Sequence, residues 1–157
     1  MDEDQYRSTY NNVNPNRCVF EKSLNNRRCD CSLKHRFLIA TREGVACRSE
    51  KSLARCTKLL NAMRDNARFV LKVITVDGPM PHNKELRVQA GGMMGLQKLM
   101  FSNDDSLPDK APDTVEDIHQ VVDATLLKYG SIENIPYRLI VQDIAACQVR
   151  LKRRSKK

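Results

Sequence analysis

Residues 18–56, CVFEKSLNNRRCDCSLKHRFLIATREGVACRSEKSLARC, hold five of the six cysteines in a 157-residue chain, interleaved with arginine and lysine. How this stretch folds decides how the cysteines meet. Ser32 follows Cys31 and predicts a capped helix over 33–42, with Leu33, Phe37 and Ala40 on one face and Gly44 as its stop. Ser49 predicts a second cap. Beyond it Leu53, Cys56, Leu60, Met63, Ala67 and Val70 recur every three or four residues, the strongest helical stripe in the chain. The two helices read as a cysteine-bearing hairpin. Cys29 and Cys31 would sit at the start of the first helix and Cys47 just before the second. There the helix dipole and free N–H groups favour thiolate over thiol.

Outward from this hairpin the signals are weaker. Residues 1–17 are polar, Asn-rich and broken by Pro15, which predicts a flexible arm. The apolar run 71–76 and the alternating run 84–90 predict a short β hairpin around Asp77-Gly78-Pro79-Met80-Pro81. The glycines at 91, 92 and 95 then predict a bend before a short helix reaching Phe101. Residues 102–113, with Pro108 and Pro112 among aspartates, read as a linker. Thr114 and Asp117 suggest a capping box for a helix bearing Val115, Ile118, Val122 and Leu126 and ended by Gly130. A last helix begins near Pro136, after Asn134 as cap, with Ile140, Ile144, Cys147 and Leu151 on one face.

The expected fold is therefore α+β and mainly helical: an N-terminal helical hairpin with cysteines, a short β hairpin and a C-terminal helix pair. Residues 18–157 read as a single compact domain. Its parts are a basic cysteine-rich lobe over 18–72, a strand and loop lobe over 73–101, the linker, the helix pair over 114–151 and a basic tail over 152–157.

Charge is segregated along the chain. Residues 1–72 hold 15 Lys+Arg against 8 Asp+Glu, residues 73–149 hold 6 against 11, and residues 150–157 hold 6 basic and no acidic groups. The basic ends suit an acidic partner, either a protein surface, such as that of a larger enzyme complex, or a nucleic acid. The protein surface is preferred here, because with 5% aromatics and no tryptophan the basic runs lack the interleaved rings on which single strands stack. The first thirty residues contain no apolar core of a signal peptide, and no apolar run is long enough to span a membrane. Cytoplasmic residence without membrane insertion is the expectation. In that reducing compartment clustered cysteines are metal ligands or redox thiols more often than disulfides.

The spacing C-x10-C-x-C-x15-C-x8-C supplies four thiolates and leaves one over. Zinc sites usually present paired C-x2–4-C knuckles, and this segment has one C-x-C and no second knuckle. Long intervening segments suit an iron–sulfur cluster, in which each iron of a cubane takes a single protein thiolate. The cofactor expected is thus an iron–sulfur cluster, [4Fe–4S], held by four of Cys18, Cys29, Cys31, Cys47 and Cys56. Cys18, Cys31, Cys47 and Cys56 are the preferred ligand set; zinc is the alternative. Cys147 lies far away on an apolar helix face and reads as a small buried hydrophobe.

Other motifs carry less. His35 is a substitute ligand candidate, whereas His119 reads as a surface residue. Neither a Ser-His-Asp order nor H-E-x-x-H is present, so hydrolytic chemistry has no support. Gly91-Gly92-x-x-Gly95 lacks the glycine pattern and the GK[ST] ending of a phosphate loop, and points to close backbone packing. The expected role is electron transfer, redox sensing or service as an accessory subunit. The alternative is a zinc-stabilised nucleic-acid-binding or regulatory module.

Overall fold

The computed structural model describes residues 3–74, 80–101 and 114–148. Over these the chain is α+β and mainly helical. It runs α1 (Glu3–Val13), α2 (Glu21–Asn25), β1 (Lys34–Ile39), β2 (Arg42–Cys47), α3 (Glu50–Ala67), α4 (His82–Phe101), α5 (Ile118–Tyr129) and α6 (Tyr137–Ala146), with a 3-10 turn at Ile132–Asn134 before α6. One buried cluster extends from Phe20 and Leu24 through Leu60, Met63 and Met93 to Ile140 and Ile144.

A β hairpin stands where the first cysteine-bearing helix was expected. β1 and β2 pair antiparallel from Lys34 with Cys47 to Ile39 with Arg42. Residues 34–39 read equally well with a period of two, which puts His35, Phe37 and Ile39 on one face and Lys34, Arg36 and Leu38 on the other. What hid the hairpin is its connection. Ala40 takes the left-handed conformation at φ 56°, where Gly or Asn would normally advertise the turn. Nor is Gly44 a helix stop: a Cβ there would fall 2.6 Å from the Phe37 ring, so the glycine is the floor on which that ring lies.

The N-terminal arm is also corrected, because most of it is α1. Tyr10 and Asn14 are buried although the segment lacks an apolar stripe. Polar contacts dock it instead. The Tyr10 hydroxyl donates to the Glu21 carboxylate, and Asn14 Nδ2 donates to Tyr10 Oη at 2.8 Å and to the Val45 carbonyl at 3.1 Å. Glu21 in turn accepts the Val45 N–H at 2.8 Å and Arg17 Nη2 at 2.8 Å. These bonds permit the burial of Tyr10 Oη, Asn14 Nδ2 and Glu21, although Asn14 Oδ1 is buried without a hydrogen-bond partner.

α3 begins as its cap requires, with Ser49 accepting the Ser52 N–H at 3.2 Å. It buries Leu59, Leu60, Met63 and Ala67. α4 replaces both the second expected strand and the expected bend. The alternation of Leu86 and Val88 was misleading because Glu85 and Gln89, which flank them, are buried as well. Arg64 Nε meets the Glu85 carboxylate at 3.0 and 3.1 Å, Gln89 Nε2 donates to it at 3.0 Å, and the Met80 N–H donates at 3.0 Å. Burial raises the Glu85 pKa, but these donors outweigh it and leave the carboxyl below its ordinary value.

The glycines of α4 continue the helix and admit α6. A Cβ on Gly91 would lie 2.8 Å from the Ile144 Cα, and one on Gly92 2.6 Å from the Met63 sulfur. Close approach of the α6 backbone at Gly91, of the Met63 side chain at Gly92 and of the Asp143 side chain at Gly95 explains the motif without a phosphate. The C-terminal pair forms as expected, with a shifted cap: Asp117 itself accepts the His119 N–H at 3.1 Å, and Gly130 closes α5 at φ 86°. Residues 71–74, at the start of the other expected strand, form turns rather than a strand. The remainder of that run and its turn over 75–79, the linker over 102–113 and the basic tail with Leu151 lie outside the described residues. Among the described residues no helix is long and apolar enough to cross a membrane.

Candidate metal centre

Four separate segments deliver Cys18, Cys31, Cys47 and Cys56 to one region. Cys18 is fixed by its own N–H, which donates to the Val45 carbonyl at 2.9 Å just after Arg17 bridges to Ala46. Cys31 lies three residues before β1 and Cys47 closes β2, its N–H bonded to the Asn16 carbonyl at 2.8 Å. Cys56 projects from the second turn of α3. The hairpin, rather than a helix pair, is what folds residue 31 back beside residue 47.

Electrostatics report the grouping. The Cys18 thiol is pushed up to about 12, chiefly by burial, with the charges of Cys56, Cys31 and Cys47 contributing. Cys56 is likewise pushed up to about 12, chiefly by burial, with Cys31 and Cys47 contributing. Cys31 is also raised by burial, and Cys47 is again among its neighbours. Each of the four therefore feels, or is felt by, the others. All four remain half-buried rather than sealed from solvent.

Burial is partly offset by the neighbouring backbone, at Phe20 for the Cys18 thiol and at Leu33 and His119 for the Cys31 thiol. The Cys31 segment is tied to the start of α5, where the Ser32 N–H donates to Asp117 Oδ1 at 3.0 Å. The Cys47 thiol donates to the Ser49 carbonyl at 3.2 Å, beside the start of α3. Two helix N-termini thus border the thiols, those of α3 and α5, rather than one at Ser32.

Cys29 stands apart from the other four. Only 4% exposed, its thiol is pushed up to about 12 by burial, and the neighbours that modulate it are Ser23, Arg28, Cys147 and Asp30. It is fixed by a bridge to Val115. His35 is turned away as well: its register neighbour is Ala46, on the face opposite to Cys47, and its ring stacks beside Phe37.

The sequence reading missed a charged group at the rim. Arg55 Nη1 meets Asp123 at 2.6 Å, and His119 Nε2 lies 3.3 Å from the same carboxylate. Arg55 and Asp123 both act on Cys56. Their signal was tertiary, since α3 and α5 are far apart in sequence. As the described side chains stand, no group of three or more His, Cys, Asp or Glu is arranged to hold a metal ion. Loading therefore requires the thiols to draw together and to release their protons.

No protein-family model matches the chain, and neither the curated proteins nor the solved structures contain a significant match.

Proposed function

We propose that the chain is a small iron–sulfur protein in which Cys18, Cys31, Cys47 and Cys56 hold a [4Fe–4S] cluster. Its role is electron transfer, redox sensing or service within a larger enzyme. One observation carries the reading: four half-buried thiols from four segments lie near enough for their charges to act on one another. A cubane also asks for less convergence than zinc. Around one zinc ion four sulfurs must close to about 3.8 Å of one another, given Zn–S bonds of about 2.3 Å, whereas a cubane gives each sulfur its own iron.

When bound, the cluster supplies one-electron chemistry. The chain's own residues would hold it, shield it and set its charge environment. The basic N-terminal half offsets the negative charge of four thiolates and offers a docking surface to an acidic protein partner. Reduced thiols of this kind suit a cytoplasmic setting. A zinc-stabilised nucleic-acid-binding or regulatory module is the second reading, favoured by the same basic surface.

Anaerobic purification followed by iron, acid-labile sulfide and zinc analysis tests this directly. The expected preparation is brown, with about four irons and four sulfides per chain, and is bleached by dithionite. A colourless protein with stoichiometric zinc would transfer the site to the second reading. A preparation lacking both metals would end both.

A further inference from the structure

The phase of the β hairpin leaves part of one strand edge unused. On β2, Val45 and Cys47 turn their main-chain groups away from β1: the Val45 carbonyl accepts the Cys18 N–H at 2.9 Å, the Val45 N–H donates to Glu21 at 2.8 Å, and the Cys47 N–H donates to the Asn16 carbonyl at 2.8 Å. Opposed residues of an antiparallel pair exchange both bonds or neither. Arg36, opposite Val45, and Leu38, opposite Glu43, therefore direct their N–H and C=O groups out of the sheet. Lys34, opposite Cys47, does the same and is occupied, donating to the Cys31 carbonyl at 3.3 Å and accepting Arg48 Nε at 3.2 Å. Among the described residues, no hydrogen bond reaches the N–H or C=O of Arg36 or Leu38.

The side chains along this edge are basic with one apolar member. Leu38 is 68% exposed and shares its face of the strand with Lys34 and Arg36. Both cations, with Arg27, line an open cleft of about 310 Å³, to which Asp30 and Glu116 also contribute. Arg36 is held in place by the Leu24 carbonyl at 3.0 Å and Asn25 Oδ1 at 3.2 Å. Glu43 serves both Arg27, at 3.3 Å, and Arg36, at 3.6 Å, so one carboxylate is shared between two guanidiniums. Arg48 adds a further exposed cation at the Lys34 end.

We propose that the outer edge of β1 receives an extended acidic segment of a protein partner by strand addition. Its main chain bonds to the peptide groups of Arg36 and Leu38, and its alternate side chains set carboxylates beside Lys34, Arg36 and the cleft. Resting on the acidic protein partner of the functional reading, this seat is independent of the cluster. Charge selects that occupant over a second copy of the chain. Two β1 edges brought together would place Lys34 and Arg36 of both copies along one short ladder, where like charges oppose pairing. The cations that keep two copies apart thus admit an acidic strand.

The test titrates the full chain with a capped peptide of alternating Glu and Val while amide hydrogen exchange is followed by NMR. Exchange at the Arg36 and Leu38 amides is expected to slow, with Phe37 and Ile39, which already face β2, unchanged. The same peptide N-methylated at every residue is expected to bind at least about tenfold more weakly, having lost its donors. Leu38→Pro removes one outward N–H at a strand edge, where proline is tolerated, and is expected to weaken binding of the unmethylated peptide similarly. The methylated peptide carries this test without altering the chain. Equal affinity of the two peptides, or unchanged exchange at Arg36 and Leu38 on binding, overturns strand addition while leaving an acidic partner in place. Protection of these amides that rises with protein concentration alone gives the edge to a second copy and overturns it, as does binding of neither peptide. Tight binding of random-sequence RNA in place of the peptide removes the acidic protein partner itself, and the strand seat with it. Iron and sulfide content of the same sample reads the cluster separately.

Discussion

At the scale of single residues, the sulfur atoms divide into two populations by what surrounds them. Cys18, Cys31 and Cys56 respond to one another and to Cys47, whereas the modulators of Cys29 are Ser23, Arg28, Cys147 and Asp30. Replacing Cys18, Cys31 or Cys47 with Ser is therefore expected to abolish stoichiometric metal, while Cys29→Ser keeps it and instead lowers stability by about 1–3 kcal/mol for a buried hydroxyl without a guaranteed partner. Metal analysis beside denaturant unfolding separates the two effects; metal loss in Cys29→Ser matching that in Cys31→Ser would break the division. A second residue-scale consequence follows from Ala40, which is exposed and left-handed at φ 56°. That conformation costs an L-residue roughly 1–2 kcal/mol, and the extra unfolded-state freedom of glycine takes back about 0.5–1 kcal/mol. Ala40→Gly should accordingly stabilise the protein slightly, by about 0.5 kcal/mol, with a higher urea midpoint and an unchanged slope. A lower midpoint would mean that the turn is not strained.

Among the elements, the packing of α4 against α6 depends on glycines with unequal tolerance. Gly91→Ala drives a methyl into the Ile144 backbone, which cannot rotate away; overpacking of this kind costs about 1–3 kcal/mol and exceeds the helix-propensity gain of about 1 kcal/mol. Gly95→Ala meets the Asp143 side chain, with Oδ2 at 3.0 Å and Cβ at 3.3 Å, but no backbone, and should cost less than Gly91→Ala. Thermal melts of the two variants should diverge; equal shifts would contradict the contact pattern. The neighbouring Arg64 and Glu85 pair joins α3 to α4. Since the folded Glu85 carboxyl lies below its ordinary value of 4.5, its contribution is complete above that pH and disappears as pH falls through the folded value. Glu85→Gln should flatten the acid limb of the stability profile, and Arg64→Ala, which strands a buried carboxylate, should cost about 3–5 kcal/mol. An acid limb unaltered by Glu85→Gln would remove this pair from the explanation.

The elements also show which sequence signals were sufficient. α3, α5 and α6 were legible because Ser49, Gly130 and the stripes through Leu60, Val122 and Ile140 all describe local helix. The β hairpin was not, because a left-handed alanine replaced the expected turn residue. Nor was α1, whose docking depends on Tyr10 and Asn14 finding Glu21 and Val45. α4 was misread because an ion pair across the core makes Glu85 a buried residue, and no local pattern announces that. At the thiol site the spacing identified the four cysteines that the fold gathers. It contained nothing about the tie from the Ser32 N–H to Asp117, 85 positions further along.

For the whole molecule, the charge division between a basic first half and an acidic middle bears on partners. If the basic run over 152–157 bound nucleic acid, affinity would fall linearly on a log–log salt plot and deletion of the run would reduce the slope. We expect instead no submicromolar affinity for random-sequence RNA or DNA at physiological salt, and retained preference for one acidic protein at matched ionic strength. Tight, salt-steep binding of the full chain to random sequence would reverse that expectation and advance the zinc reading.

The bond from the Ser32 N–H to Asp117 Oδ1 at 3.0 Å has a consequence for synthesis. A ribosome delivers Cys18, Cys31, Cys47 and Cys56 within the first 56 residues but must travel on to residue 117 before that anchor beside Cys31 exists. The growing chain thus carries the four sulfur atoms for some time with the Cys31 segment unanchored. A cluster of the kind proposed would accordingly be loaded late, once residues 30–32 and 115–118 have paired.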